Sequence, residues 1–582
     1  MSIIKKIHEE LKEIFKECGY EVEEVNLQPS GRKDLGDYQI NDAMTLAKKY
    51  HQNPRDIAEK IKLKLEENYK YTNVNIAGPG FINLTFTNEF IYEYLNDISK
   101  DINNNIDKEK NKKVIIDYGG ANIAKALHVG HLRSANIGEA VKRLSKTLGY
   151  EVIGDVHFGD IGRQSGMVIS EIKRRNPDLA YFDDNYSGDY NDIKFNITEE
   201  ELAEIYPKAS LAAKEDEKRM EEVVTITKEL ENGHKGYSAL WNKIKEVSIK
   251  DIMGVYDKIN THFELLEGES DCYPYLPETV KILEDSNQLV NSEGAKVIEV
   301  KEETDTSPMP PLVVIKSNGA TLYATRELAT LYSRVKRFNP DEIWYFTDIR
   351  QQLYFEQVFR AAKKTKLVSN NTKLEWFGFG TMNGPDGKPF KTRDGNVMSL
   401  KELIKEIEEK TIKKINKDIV SSEKQQETAE TIAIAALKYA DLIPFRTTDY
   451  IFDTNTFTEF EGKTGPYLLY STIRMKSLLD KSKDIKATKI TKFSGLIEKE
   501  IALTLLNLPI VLKKSLDTKS LNDISDYIYI LTSKYNKFYA EHRVLTETDE
   551  NLKCSWILLT NIVYNTNKLL LDIMGINLPE KM

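Results

Sequence analysis

Apolar positions along this chain change period several times, and each change marks an element. The run Val114-Ile115-Ile116-Asp117-Tyr118 is apolar up to an aspartate and predicts a buried strand. After a polar loop, Ile137, Val141, Leu144 and Leu148 recur at helical spacing, and residues 151–156 predict a second short strand. Strand, loop, helix, strand is a βαβ unit, which binds ligands at the carboxyl end of its first strand. Upstream, residues 1–20 read as an amphipathic helix with Ile3, Ile4, Ile7, Leu11 and Ile14 on one side. Residues 40–64 read as helical, and 73–76 and 81–84 as strands around Gly78-Pro79-Gly80. A polar linker over 103–113 follows. A charged, mostly helical stretch over 176–250 interrupts the βαβ region and reads as a solvated insertion. A strand at 312–316, a helix from Thr325, a strand at 342–346 and a helix from Arg350 then predict a parallel α/β sheet. From about Leu403 the chain reads as helical to its end. The predicted divisions are 1–105 (α+β), 106–402 (Rossmann-type parallel sheet with the insertion) and 403–582 (all-α).

Composition narrows the class. A length of 582 residues suits several domains at ~100–200 residues each. The net charge of −9, from 82 basic and 91 acidic residues, argues against diffuse nucleic-acid binding but leaves room for local basic patches. Glu9, Glu10 and Glu13 in the first helix exclude a signal peptide, and no apolar run has membrane-spanning length. Cys18, Cys272 and Cys554 have no pairing spacing, which suits a reducing compartment. The expectation is a cytoplasmic protein with no membrane contact, and a monomer by default.

The most informative stretch is Asn122-Ile123-Ala124-Lys125-Ala126-Leu127-His128-Val129-Gly130-His131-Leu132-Arg133, where the predicted helix begins. A helix N-terminus favours phosphate, and Gly130 lets a base or sugar lie against the backbone. Two histidines three apart could instead hold a metal, but no Cys-x-x-Cys pair accompanies them, so no zinc site is expected. They could also be incidental to a capped core helix. Asn122, Lys125 and Arg133 beside them favour phosphate chemistry.

His128-Val129-Gly130-His131 resembles the HIGH signature of class I aminoacyl-tRNA synthetases, and the run 122–134 resembles the form found in arginyl-tRNA synthetases. Further segments match in order: Gly36-Asp37-Tyr38, Ala77-Gly78-Pro79-Gly80-Phe81-Ile82-Asn83, Gly268-Glu269-Ser270, Tyr323-Ala324-Thr325-Arg326-Glu327-Leu328-Ala329, the run 348–357, Arg446-Thr447-Thr448-Asp449-Tyr450 and the ending 575–582. The resemblance implies an arginine–tRNA ligase. It would use ATP with substrate-borne Mg²⁺ to activate L-arginine and transfer it to the terminal adenosine of tRNA(Arg). An N-terminal domain would touch the tRNA elbow, and a helical domain would bind the anticodon. His128 and His131, with Gly130, would contact ATP. Lys125, Lys388, Lys391 and Arg393 would neutralise phosphates, the last three in the Gly-rich loop that stands in the KMSKS slot. Asp117, Asn122 and Gln351 would orient the amino and carboxylate groups, and Tyr323, Glu269 and Glu327 would read the guanidinium. A guanidinium is planar and always charged, so it needs carboxylates placed for bidentate pairing. Tyr535, Phe538, Tyr539 and Arg543 interleave aromatics and cations as RNA-stacking candidates, and residues 474–492 carry seven basic and two acidic residues. No role follows for Gly159 or Asp160.

The chain departs from the family in places. Glu327 stands for the usual aspartate, Tyr354 for a histidine and Ile161 for a tryptophan. Ala121 and Ala126 replace prolines, which predicts a looser loop and a weaker grip on ATP without tRNA. Rival readings are a class I synthetase for another amino acid such as cysteine, a nucleotidyltransferase, or a tRNA-binding paralogue without activity.

Overall fold

The computed structural model describes every residue except Lys110, 318–321, Pro389, 391–397 and Lys417. The first helix, Ile3–Glu17, buries Ile4, Ile7, Leu11 and Phe15. It covers an antiparallel sheet in the order Leu27–Pro29, Tyr38–Ile40, Phe81–Phe86, Tyr71–Ala77. The expected helix over 40–64 is two helices, Ala43–Tyr50 and Pro54–Leu65, and Ile40 belongs to a strand. The break follows from local chemistry. His51 takes a left-handed conformation (φ 53°), then Asn53 caps the second helix and Pro54 fills its first turn.

The sheet of the central part is parallel, in the order Lys373–Phe379, Glu342–Asp348, Lys113–Asp117, Glu151–Asp155. Asp117 stands in register with Tyr345 on one side and Asp155 on the other, so polar groups collect at the carboxyl edge. The helix Val129–Thr147 crosses the sheet, with Leu132, Ala140, Val141 and Leu144 fully buried. Gly138 permits this crossing: a Cβ there would stand 2.3 Å from the Tyr118 side chain.

Two expectations need correction. The strand Leu312–Ile315 lies outside the parallel sheet and pairs antiparallel with Ala295–Ile298, whose hairpin partner is Leu289–Ser292. Glu293 and Gly294, both at positive φ, make the tight turn that this hairpin requires. The 103–113 stretch is also less of a free linker than its polarity suggests. Asn105 is fully buried and donates to the Leu505 carbonyl of the helical domain at 2.9 Å.

The insertion forms the helices Glu199–Glu215, Glu217–Glu231 and Lys235–Lys258. Leu202, Ile205, Leu240, Trp241 and Ile244 pack into one core with Ile123, Leu127 and Leu132 of the histidine-bearing segment. The stretch read as a solvated insertion therefore buttresses the loop over 119–128. The C-terminal part is a helical bundle from Gln425–Leu442 to Glu550–Ile573. Its core is continuous with those of the N-terminal sheet and of one face of the parallel sheet. No helix among the described residues is long and apolar enough to cross a membrane.

Candidate active site

The carboxyl edge of the parallel sheet opens onto a cavity of about 570 Å³. One wall is built by Asn122, His128, Gly130 and His131. His128 caps the helix Val129–Thr147, and its Nδ1 accepts the Gly130 N–H at 3.0 Å. The His128 N–H in turn donates to Nδ1 of His131 at 3.1 Å. Both rings thus use Nδ1 as an acceptor, which leaves Nε2 to carry the hydrogen of the neutral imidazole. Lost hydration at the wall holds both pKa values down, with Lys125 adding to each and His128 adding at His131, which is lowered to about 3. The result is two neutral N–H donors, ring centroids 3.9 Å apart, at the positive end of a helix. Asn122 is set by Gly159: the Gly159 N–H donates to Ala121 at 2.8 Å, and a Cβ on Gly159 would stand 2.5 Å from Asn122 Oδ1.

The floor is acidic. The helix Tyr323–Phe338 carries Glu327 and Arg334 seven residues apart, on the same face as Ala324, Leu328 and Leu331. Arg334 is fully buried and donates to Asp117 Oδ2 at 2.6 Å, to Asp155 Oδ2, and to the Tyr345 hydroxyl at 2.8 Å. Tyr345 passes its own hydrogen to Glu327 Oε1 at 2.9 Å. Burial raises the Glu327 pKa and Asp117 adds to this, against His157 and Arg334. Glu269 sits on the turn after Gly268. Burial lifts its pKa to about 7, although the Arg326 guanidinium 3.9 Å away opposes the rise. Tyr323 lies over the same end of the cavity, and Gln351 stands in the wall beyond the strand Glu342–Asp348. At His157, burial disfavours the charged form, but Asp117, Asp155 and Glu327 outweigh it and raise the pKa. Asp117, Asp155 and His157 have the spacing of metal ligands, yet the Arg334 guanidinium already bridges the two carboxylates.

Other expected residues lie elsewhere. Lys125 turns away from the cavity, its Nζ 4.3 Å above the Tyr206 ring of the insertion. Lys388 is exposed on the 384–388 turn, its N–H on Asp386. Lys391 and Arg393 fall outside the described residues. Tyr535 and Phe538 cannot stack on RNA: both are fully buried, Tyr535 with its hydroxyl on Thr560. They follow the helical repeat of a core face rather than a surface. Tyr539 and Arg543 do line a surface groove of about 340 Å³ with Arg474, whose guanidinium lies 4.6 Å over the Tyr539 ring. The loop expected to be loose is pinned, with the Gly119 N–H on Ser134 and the Ala124 N–H on Ser248 of the insertion.

Sequence reasoning missed Arg334, Tyr345 and His157. A signal for the first was present, because Arg334 is a charge on an otherwise apolar helix face, in phase with Glu327.

Comparisons with known proteins identify the family. Residues 95–454 match the family described as tRNA synthetases class I (R), catalytic domain. Residues 1–86 match the arginyl tRNA synthetase N terminal domain, and 468–582 the DALR anticodon binding domain. The arginine–tRNA ligase of Agathobacter rectalis is 43% identical over 598 aligned residues, covering 100% of both chains. That of Alkaliphilus oremlandii is 42% identical over 585, again covering both completely. Among solved structures, arginyl-tRNA synthetase from Plasmodium falciparum superposes with a TM-score of 0.82 at 26% identity, covering 100% of each chain. The Thermus thermophilus enzyme superposes at 0.79 and 19% identity, also covering 100% of each, and supports the fold alone. With its histidine wall and acidic floor on the parallel sheet, and with full-length relatives above 40% identity, the chain belongs to the arginyl-tRNA synthetases of class I.

Proposed function

We propose that this protein is an arginine–tRNA ligase that works through the cavity at the sheet edge. The observation that carries the reading is the acidic floor. Glu269 and Glu327, with Asp117, line the cavity together with Tyr323, which supplies the carboxylates that a guanidinium requires. In the first step an arginine carboxylate oxygen attacks the α-phosphorus of ATP. The bond to the bridging oxygen breaks, and pyrophosphate leaves with the electron pair. A ribose hydroxyl of the terminal adenosine of tRNA(Arg) then takes the arginyl group, and AMP leaves.

The chain's contribution is positioning and charge stabilisation. The Nε2–H groups of His128 and His131 donate to oxygens of the phosphate under attack. Asn122, Gln351 and Asp117 orient the amino and carboxylate groups, while Tyr323, Glu269 and Glu327 hold the guanidinium. Lys388, Lys391 and Arg393 neutralise the leaving pyrophosphate. Magnesium travels with ATP, held by phosphates and water; Asp117 and Asp155, already bridged by Arg334, do not offer it a cage. Lys125 must leave Tyr206 to reach the phosphates, which fits activation that awaits tRNA. The groove at Tyr539, Arg543 and Arg474 supplies a stacking surface for an anticodon base. The protein acts as a monomer in the cytoplasm.

ATP–pyrophosphate exchange with each of the twenty amino acids, with and without tRNA, tests this. Exchange with arginine alone, appearing only with tRNA, is expected. Exchange with another amino acid would show the floor misread, and none at all would favour a tRNA-binding paralogue.

A further inference from the structure

Asp160 lies outside the cavity wall and is 4% exposed, yet its three oxygens are all engaged, by the segment that carries Glu269 and by the insertion. One carboxylate oxygen, Oδ1, accepts the Ser270 N–H at 2.9 Å. The other, Oδ2, accepts the Ser270 hydroxyl and the Lys245 ammonium, the latter at 3.2 Å. Its carbonyl accepts the Trp241 indole N–H at 2.7 Å. Lys245 and Trp241 belong to the insertion helix Lys235–Lys258. On the near side of Glu269, the carboxylate fills the space above Gly268, where a Cβ would meet Asp160 Cγ at 2.6 Å. The Glu269 N–H itself donates to the Phe158 carbonyl at 2.9 Å, two residues before Asp160.

Glu269 is therefore flanked on both sides by contacts from the 158–160 turn, and that turn is tied to the insertion. A carboxylate on a short turn loses its aim if the turn rotates, and a bidentate pair with a guanidinium tolerates little rotation. We infer that Asp160 is a positioning residue for arginine recognition: it transmits the packing of the insertion, through Lys245 and Trp241, to the aim of Glu269. This rests on the reading of Glu269 as a guanidinium ligand.

The test uses the full chain with tRNA, in ATP–pyrophosphate exchange, with citrulline as a competitive probe. Citrulline has the shape of arginine but a neutral urea end, so it should not need the aim of a charged carboxylate. In Asp160→Asn the amide nitrogen meets donors at Ser270 and Lys245. The expected result is an arginine KM raised about tenfold, the size of one charge-assisted hydrogen bond lost from a pocket. The ATP KM and the citrulline inhibition constant should stay within about twofold of wild type, well below that tenfold step. Lys245→Met should shift the same ratio in the same direction by less. Arginine and citrulline weakened equally, an ATP KM rising in step, or an unchanged arginine KM would each overturn the inference. If Asp160→Asn does not fold, Ser270→Ala decides, since it removes only a hydroxyl. An unchanged ratio of arginine KM to citrulline inhibition constant there overturns the proposal, and a raised one supports it. Absence of arginine exchange in the wild type would instead sink the functional reading beneath it.

Discussion

Glu269 sets how the acidic floor responds to pH. Its pKa of about 7 belongs to the empty site, where burial disfavours the charge. A bound guanidinium needs the ionised form, so below pH 7 binding must first displace a proton. Arginine affinity should fall by up to about tenfold per pH unit as pH drops below 7. Calorimetry at pH 6 in buffers of different ionisation heat should report about one proton released, and close to none at pH 8.5. Equal release at both values would contradict the assignment. For the empty protein the raised pKa has the opposite sign to a salt-bridged acid. The folded form holds the proton more tightly, so this group's contribution to stability falls as pH rises from its ordinary 4.5 towards 7. Tyr345 offers a second test. Tyr345→Phe strips Glu327 of its donor and Arg334 of an acceptor. It should lower stability by about 1–3 kcal/mol and raise the arginine KM, with the ATP KM unmoved. Thermal unfolding and exchange kinetics would show both.

Packing of whole elements has its own weak points. The helix Val129–Thr147 can cross the sheet only while position 138 lacks a Cβ, because the Tyr118 side chain fills that space. Gly138→Ala should cost about 1–3 kcal/mol by overpacking, seen as a lower unfolding midpoint. The strand and helix that open the βαβ unit were legible because a continuous apolar run and a helical repeat each point to one element. The segment over 40–64 was harder to read. Its apolar spacing continues across His51, and only the left-handed turn followed by Asn53-Pro54 separates the two helices. The strand Leu312–Ile315 was recognisable as a strand but not by its partners, because pairing is a long-range choice that alternation cannot specify. At the site, the residues expected from short motifs could be located: His128, His131, Asn122, Glu269 and Glu327 all line the cavity. The floor's internal support could not, since Arg334, Asp155 and Tyr345 meet from three separate elements. Tyr535 and Phe538 failed for the opposite reason, because an aromatic repeat on a helix looks the same whether it faces RNA or a core.

For the molecule as a whole, the joints between parts are polar and buried. Arg133, 1% exposed, joins the histidine-bearing helix to Asp441 at 2.9 Å and to the Thr448 carbonyl at 3.0 Å. Lys438, on the same helix as Asp441, is fully buried and donates to the Ile259 carbonyl at 2.7 Å. Burial lowers its pKa to about 7. The unfolded chain holds that proton up to the ordinary 10.5, so the group opposes folding most strongly below pH 7 and progressively less up to 10.5. Wild type should therefore gain stability relative to Lys438→Met as pH rises from 7 to 10, by up to about 1.4 kcal/mol per unit. A gap between the two unfolding curves that does not change with pH would contradict this. Across the other joint, Asn96 exchanges two hydrogen bonds with Ile490, Lys499 pairs with Asp37 at 2.9 Å, and one apolar core runs beneath them. The first hundred residues are thus no detachable appendage. A protease that cut the chain near residue 108 would leave both fragments travelling as a single particle, and a transplant of the N-terminal part from a relative would have to carry the facing helices with it.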